Sequence, residues 1–258
     1  MIGEVSISNY KSILHQRFSL GRVNVFVGRC GSGKTNILEA LGMAAAAHDE
    51  ALDTDSLLKR GVKATEPALT FHTGAQSKEI DIAWSEKGSW KKAKLICEDG
   101  GSWKDISWYE PEYIDKINNL IKFIGDGTIE GAYPFADEAK NTVLNAAFRG
   151  SRNFRDFVIF NNEDCLKSLL ADKHTPQIFA IDNLEDLIEQ ELCNEKLIQT
   201  IALLVAKNNK QLFITTSNTN VVNGLNLEDP ELTIFLTKLA EDGQTVVEKL
   251  TDKKLLDI

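Results

Sequence analysis

The first part of the chain shows the pattern of two strands, a buried strand and a helix. Apolar residues alternate with polar ones over residues 2–8, which predicts a half-buried strand, and a second extended segment ends at residues 18–20. Residues 23–27 form a short, mainly apolar run of the length of a buried strand. An apolar helical pattern follows over residues 36–47. The pattern therefore predicts a buried strand, a loop and a helix in direct succession.

The middle of the chain divides into two regions by composition and period. Residues 66–110 are rich in Thr, Ile, Trp and Ser and carry turn signals at Lys87-Gly88 and at residues 99–101, so they predict a small antiparallel β lobe. Residues 111–175 show short apolar stretches at helical spacing that glycines interrupt. We expect this second region to be helical.

The last region, residues 176–258, predicts a parallel sheet. Apolar runs at residues 178–182 and 211–216 predict buried strands, and residues 192–206 between them predict an amphipathic helix. A strand, a helix and a strand in this order are typical of parallel pairing. A chain of 258 residues is long enough for one large α/β domain. We expect a single domain with a mixed or parallel sheet core, and residues 1–65 supplying its N-terminal strands and first helix.

Candidate chemistry is concentrated in the loop after the buried strand, which reads G-x-x-x-x-G-K-T from Gly28 to Thr35. Glycines at positions 28, 31 and 33 allow positive φ angles, so that successive backbone N–H groups can form a concave anion site at a helix N-terminus. Lys34 is placed to reach the β and γ oxygens, and the Thr35 hydroxyl to bind Mg²⁺. We expect a nucleoside triphosphate here; a chance glycine-rich turn is the alternative.

A second part of the site is expected where the strand at residues 178–182 ends. Asp182 there is placed to help bind Mg²⁺, although an ordinary helix N-cap is the alternative. Asn183 follows where hydrolysing proteins of this class carry a glutamate base, and Ser217 follows the next strand where a histidine is expected. Asn183 cannot accept a proton, and Ser217 can donate a hydrogen bond but cannot carry charge, so we expect slow or absent turnover.

Three nearby carboxylates are alternative candidates for the base: Glu185, Asp186 and Glu189. The same residues fit the solvated face of a helix start, and we favour that interpretation.

Charge and cysteine usage restrict the partners and the compartment. A net charge of −9 argues against a protein that mainly grips nucleic-acid phosphates. A local basic cluster at positions 149, 152 and 155 fits phosphate contact, but a solvated helix face is the favoured interpretation. The scattered cysteines indicate neither a zinc site nor a disulfide framework, and we expect a cytoplasmic protein without membrane spans. Packing within the β lobe is favoured over base stacking for Trp84, Trp90, Trp103 and Trp108.

The two ends of the chain resemble a known family. Residues 7–12 (Ile-Ser-Asn-Tyr-Lys-Ser), the loop and helix at residues 24–41, and residues 179–183 and 210–227 together are similar to ABC-type ATPase heads of the SMC/RecF/OLD group, which are also described as AAA-family ATP-binding proteins. The resemblance covers residues 1–45 and 176–250 well and the middle third only in outline. It implies a P-loop NTPase fold of the ABC-ATPase type.

The resemblance also implies roles for single residues. Asp182 would be the Walker B acid, Ser217 the switch residue, and Lys11 a basic residue facing the nucleotide. Thr35 and Asp182 would bind Mg²⁺. The Walker A motif that binds ATP would comprise Gly28, Arg29, Cys30, Gly31, Ser32, Gly33, Lys34, Thr35 and Asn36.

Two motifs of the family are not evident. Family members sandwich ATP between two subunits through an L-S-G-G-Q-like signature, for which Gly150-Ser151 is a weak candidate. Gln76 is the only candidate for the family's glutamine loop. Both departures put the family's ATP-driven dimer cycle in question for this chain.

Together these features predict an ATP-binding regulatory or scaffold subunit with weak or no hydrolysis. We expect it to form a homo-oligomer, a dimer or larger, and to assemble with a protein effector, in anti-phage defence. The alternative is an active DNA-associated ATPase in repair or recombination, with nucleic acid as partner. Binding of GTP instead of ATP is disfavoured because no N-K-x-D guanine-binding motif follows the loop.

Overall fold

The computed structural model describes residues 1–49, 51–52, 54–63, 69–75, 79–97, 106–109, 154–160, 176–187, 201–203, 205–223, 225 and 229–251. Most of the predicted helical region, residues 111–175, lies outside these ranges. The described strands are β1 (Ile2–Tyr10), β2 (Ile13–Ser19), β3 (Val23–Val27), β4 (Glu79–Glu86), β5 (Ser89–Cys97), β6 (Ile106–Tyr109), β7 (Val158–Phe160), β8 (Ile178–Ile181), β9 (Gln211–Thr216), β10 (Leu232–Leu239) and β11 (Thr245–Lys249). The helices are α1 (Lys34–His48), α2 (Thr54–Lys59), α3 (Leu184–Leu187) and α4 (Asn220–Asn223). Residues 201–203 and 205–207 are also helical.

Within the described residues, five strands form an antiparallel sheet in the order β2-β1-β4-β5-β6. The antiparallel β lobe predicted for residues 66–110 is confirmed, and it is larger than predicted because the N-terminal strands β1 and β2 extend the same sheet. Trp84 on β4 is buried in the core, as expected for lobe packing. Trp90 is exposed, and the guanidinium of Arg17 lies 4.8 Å from its ring centroid.

A second sheet of the described chain has the order β11-β10-β3-β9-β8-β7. All its pairs are parallel except β10 with β11, which confirms the predicted parallel core. One expectation was wrong: residues 158–160 form a strand, β7, where helix was expected, because this short apolar run pairs with β8. Strand β9 lies between β8 and the loop strand β3.

Both faces of the parallel sheet are buried. Val25, Ile181 and Ile214 are on the face that packs against the helical residues 201–207 and α4. Phe26, Phe213 and Phe235 are on the other face, which packs against α1 and the antiparallel sheet, and the rings of Phe26 and Phe235 stack with centroids 4.8 Å apart. A strand buried on both faces is typical of parallel sheets.

Helix α1 begins two residues earlier than predicted and is buried along nearly its whole length. It lies in the core shared with the antiparallel sheet, and the small alanines at positions 44–47 are all fully buried there. Side chains of this size let the helix approach its neighbours closely. The N-terminus of α1 follows the loop that begins at the carboxyl end of β3. Within the described ranges, no helix combines the length and apolarity that crossing a bilayer requires.

Candidate nucleotide site

The loop that joins β3 to α1 has the backbone of an anion site. Gly31 and Gly33 have φ angles of 79° and 91°, in the left-handed region that glycine tolerates without strain. Gly33 is the N-cap of α1 and provides no side chain to cap it. The first N–H groups of an α-helix have no acceptor within the helix. They therefore remain as donors for an anion at this end of α1.

Four polar groups, linked in a row by hydrogen bonds, anchor the loop. Asn36 Nδ2 donates to Ser12 Oγ over 2.7 Å, and Ser12 Oγ lies 2.6 Å from Thr245 Oγ1. The Thr245 hydroxyl in turn donates to the carbonyl oxygen of Ser32 over 3.2 Å. A Cβ atom at Gly33 would lie 1.9 Å from Thr245 Oγ1, so this packing also requires glycine. Asn36, predicted to belong to the nucleotide motif, therefore acts in this structure as an anchor of the loop.

Lys34 is folded into the loop that it follows. Its Nζ donates to the carbonyl oxygens of Gly28 and Arg29 over 2.7 and 2.9 Å, and the residue is only 5% exposed. Burial lowers the pKa of Lys34, and the nearby carboxylates of Glu185 and Asp182 partly offset this effect. The amine thus lies within the loop, where a phosphate oxygen could replace the two carbonyl oxygens as its partner.

Asp182 follows β8 and meets the start of α1. The Thr35 hydroxyl lies 2.9 and 3.0 Å from the two carboxylate oxygens of Asp182, so the two predicted metal ligands are brought together. Thr215, on the inserted strand β9, donates to Asp182 Oδ1 over 2.6 Å. Thr215 also accepts the backbone N–H of Asn183 over 2.8 Å. The inserted strand therefore supplies the group that orients the acid.

These groups fit a Mg²⁺ ion bound together with phosphates. Mg²⁺ prefers oxygen ligands and is usually bound by one or two protein oxygens, substrate phosphates and water. One hydroxyl and one carboxylate at hydrogen-bonding distance match that requirement. Among the described residues, no group of three or more His, Cys, Asp or Glu side chains could hold a metal alone. A nucleotide would have to supply the remaining ligands.

The two positions expected to serve hydrolysis adopt a different arrangement. Asn183 has a φ of 49°, in the left-handed region, where asparagine is better tolerated than glutamate. Ser217 donates from its backbone N–H and from its hydroxyl to Glu185 Oε1, over 2.7 and 2.5 Å. Burial raises the pKa of Glu185, but its hydrogen bonds, chiefly those from Ser217, outweigh this effect, and the pKa lies below the ordinary value.

The remaining predicted site residues are distributed as follows. Lys11 Nζ pairs with the buried carboxylate of Glu39 on α1 at 2.5 Å, one turn beyond Thr35, and its role towards a nucleotide stays a prediction. Arg29 and Cys30 are exposed at the top of the loop. Several candidates lie outside the described residues: Gln76, Gly150-Ser151, Glu189, Arg149 and Arg152. The side chains of Asp186 and Arg155 are not described either.

Two features of the site were missed from the sequence. Thr215 carries a weak signal, since it is a polar residue at the end of an apolar strand. Thr245 carries none, because it lies 213 residues from the carbonyl of Ser32 that it contacts.

The chain is similar in sequence to known proteins. A family profile described as an AAA domain matches residues 4–255. The DNA replication and repair protein RecF of Shouchella clausii (strain KSM-K16) is 33% identical over 100 residues, which are 37% of this chain and 26% of that protein. The chain therefore matches about a quarter of that relative's length.

A solved structure shows the same fold. The SMC head domain from Thermotoga maritima matches with a TM-score of 0.50 and 13% identity, over 97% of this chain and 99% of that one. A structure of the recombination mediator protein RecF matches with a TM-score of 0.47 and 10% identity, over 97% and 98% of the two chains. The chain belongs to the AAA domain family and has the fold of an ABC-type ATPase head of the SMC/RecF group.

Proposed function

We propose that this chain is an ATP-binding regulatory or scaffold subunit with slow turnover, in which bound ATP and Mg²⁺ hold a homo-oligomer and a protein effector in one state. The binding half of the proposal is supported by the loop and its partners. The backbone donors at the start of α1, the buried Lys34 and the Thr35–Asp182 pair are arranged as a triphosphate and Mg²⁺ require.

The observation that carries slow turnover is the environment of residue 183. Asn183 stands where hydrolysing proteins of the class have their base, and its amide side chain cannot accept a proton. Its left-handed backbone conformation also disfavours a larger side chain. Binding without rapid hydrolysis suits a switch, because the bound state then persists long enough to organise partners.

The oligomer and the effector are inferred from the family resemblance. Members sandwich ATP between two subunits, so ATP would promote self-association. The resemblance also includes ATP-binding subunits of anti-phage systems, and we assign this chain to that setting. In cells, the assignment predicts that protection against phage is lost in the Lys34→Ala variant; equal plaque numbers with and without the wild-type gene and its neighbours would contradict it.

ATP binding, turnover and native mass should be measured together on wild type and on Lys34→Ala. Lys207→Ala is the matched control, because Lys207 is an exposed lysine remote in sequence from the loop. We expect wild type and control to bind ATP, to show a higher mass with ATP, and to turn over well below about 1 per second. Turnover near that rate in wild type, lost in Lys34→Ala, would refute the slow switch.

A second candidate function is a DNA-associated ATPase in repair or recombination. It is favoured by the sequence match to a DNA replication and repair protein. This function predicts that duplex or single-stranded DNA stimulates ATP turnover and that DNA binding weakens steeply as salt is raised. Absence of DNA binding at low salt would exclude it.

A further inference from the structure

Glu185 lies beside the nucleotide loop, because its carboxylate is bonded to Ser217 and the carbonyl oxygen of the preceding residue, Thr216, accepts the N–H of Gly28 over 3.2 Å. It lies three residues after Asp182, at the start of the short helix α3. The charge of Glu185 raises the pKa of Lys34 more than that of Asp182 does, which agrees with this placement. The residue is half-buried between β8 and the end of β9.

The two carboxylate oxygens of Glu185 have different environments. Oε1 accepts both hydrogen bonds from Ser217, which fix the rotation of the carboxylate. Oε2 is buried and accepts no hydrogen bond from the described residues. A buried carboxylate oxygen without a donor is costly, and in native proteins such atoms usually contact water or a ligand. Among the described residues, the carboxylate of Glu185 therefore has one acceptor oxygen without a donor, beside the nucleotide loop.

We propose that Glu185, in place of residue 183, is the carboxylate that orients the water attacking ATP, and that Ser217 positions Glu185 for this role. The proposal rests on the proposed function, since it requires ATP in the loop. The proposal also assigns a role to Ser217, which has no charge of its own. In this proposal Ser217 acts through Glu185, whose carboxylate it holds with two hydrogen bonds.

The reaction step is a simple hydrolysis. The water oxygen forms a bond to the γ-phosphorus while the bond from that phosphorus to the β–γ bridging oxygen breaks. The bonding electron pair leaves with the bridging oxygen of ADP, and one proton of the water passes to Glu185 Oε2. Because the pKa of Glu185 is below its ordinary value, it is a weak base at neutral pH, which agrees with slow turnover.

The test compares Glu185→Gln, Ser217→Ala and wild type, with Glu241→Gln as control. Gln at 185 keeps an oxygen that can accept both bonds from Ser217, so the fold and ATP affinity should be retained while the negative charge is lost. Glu241 is an exposed glutamate in the β10–β11 turn. Protein in excess over ATP is incubated overnight, and bound nucleotide and native mass are then determined.

We expect wild type and Glu241→Gln to contain mainly ADP, and Glu185→Gln to retain intact ATP and the ATP-dependent mass. Turnover should fall by about 100-fold or more in Glu185→Gln, the loss typical of a removed general base. Ser217→Ala, which keeps the backbone donor, should show a smaller loss. A merely structural role of Glu185 would leave the bound nucleotide of Glu185→Gln as in wild type, whatever the change in unfolding temperature.

Two results would overturn the proposal without touching the proposed function. One is Glu185→Gln converting bound ATP as fast as wild type, and the other is wild type leaving bound ATP intact overnight. Failure of wild type to bind ATP at all would instead overturn the proposed function. Measuring ATP affinity in the same samples separates the two cases.

Discussion

Replacing Thr215 by valine tests whether the inserted strand β9 organises the site. Valine has the shape of threonine without its hydroxyl, so no cavity forms at this fully buried position. The variant loses the bond to the Asp182 carboxylate and leaves the N–H of Asn183 without its acceptor. A hydrogen bond to a charged group contributes about 1.5–3 kcal/mol and a neutral one about 1 kcal/mol, so we expect a loss of about 2–4 kcal/mol in the free energy of unfolding.

The function of the site should suffer as well. Thr215 orients a carboxylate that would bind Mg²⁺, and losing a group of this kind typically weakens metal affinity by about 10–100-fold. Urea unfolding and the Mg²⁺ dependence of ATP binding are the two assays. Thr215→Ser is the control, because it keeps the hydroxyl and loses one methyl group, which costs about 1 kcal/mol.

The reasoning would be refuted if Thr215→Val were as stable as Thr215→Ser and needed no more Mg²⁺ than wild type to bind ATP. That outcome would mean that Asp182 is held by Thr35 alone.

Three further predictions follow from the same contacts. Gly33→Ala should abolish ATP binding and destabilise the fold more than Gly31→Ala. Both variants carry left-handed backbone strain of about 1–2 kcal/mol, but only at Gly33 does a new Cβ atom meet a neighbour, at 1.9 Å. Equal unfolding curves for the two variants would contradict this. Lys11→Met should lower the free energy of unfolding by about 3 kcal/mol or more, because it leaves the Glu39 carboxylate, 2% exposed, without its cation. Adding Glu39→Leu in the same chain should restore most of this loss. ATP affinity that is unchanged in Lys11→Met would assign Lys11 a structural role. Ionised Glu185 should stabilise the fold relative to Glu185→Gln, as measured by unfolding at several pH values. This difference in stability should be fully present above the ordinary pKa of 4.5 and disappear as the pH falls through the lowered pKa of the folded state. A difference that persists in acid would contradict the lowered pKa.

The sequence by itself determined the loop, the helix after it and the fold class. Glycines at positions 31 and 33, with Lys34 and Thr35 next to them, act through local backbone freedom and local chemistry, so their pattern is readable without any distant contact. The apolar runs of β3, β8 and β9 likewise indicate buried parallel strands, because their period and length are local properties.

Only the tertiary structure decided how these parts meet. Strand order placed β9 between β3 and β8 and so brought Thr215 against Asp182, and it brought Thr245 to the loop from the far end of the chain. The same order placed Glu185 beside Ser217, two residues that the sequence offered only as separate candidates. The physical reason is that strand pairing and side-chain hydrogen bonds across tens to hundreds of residues depend on the global packing of both sheets, which no local period of apolar residues records.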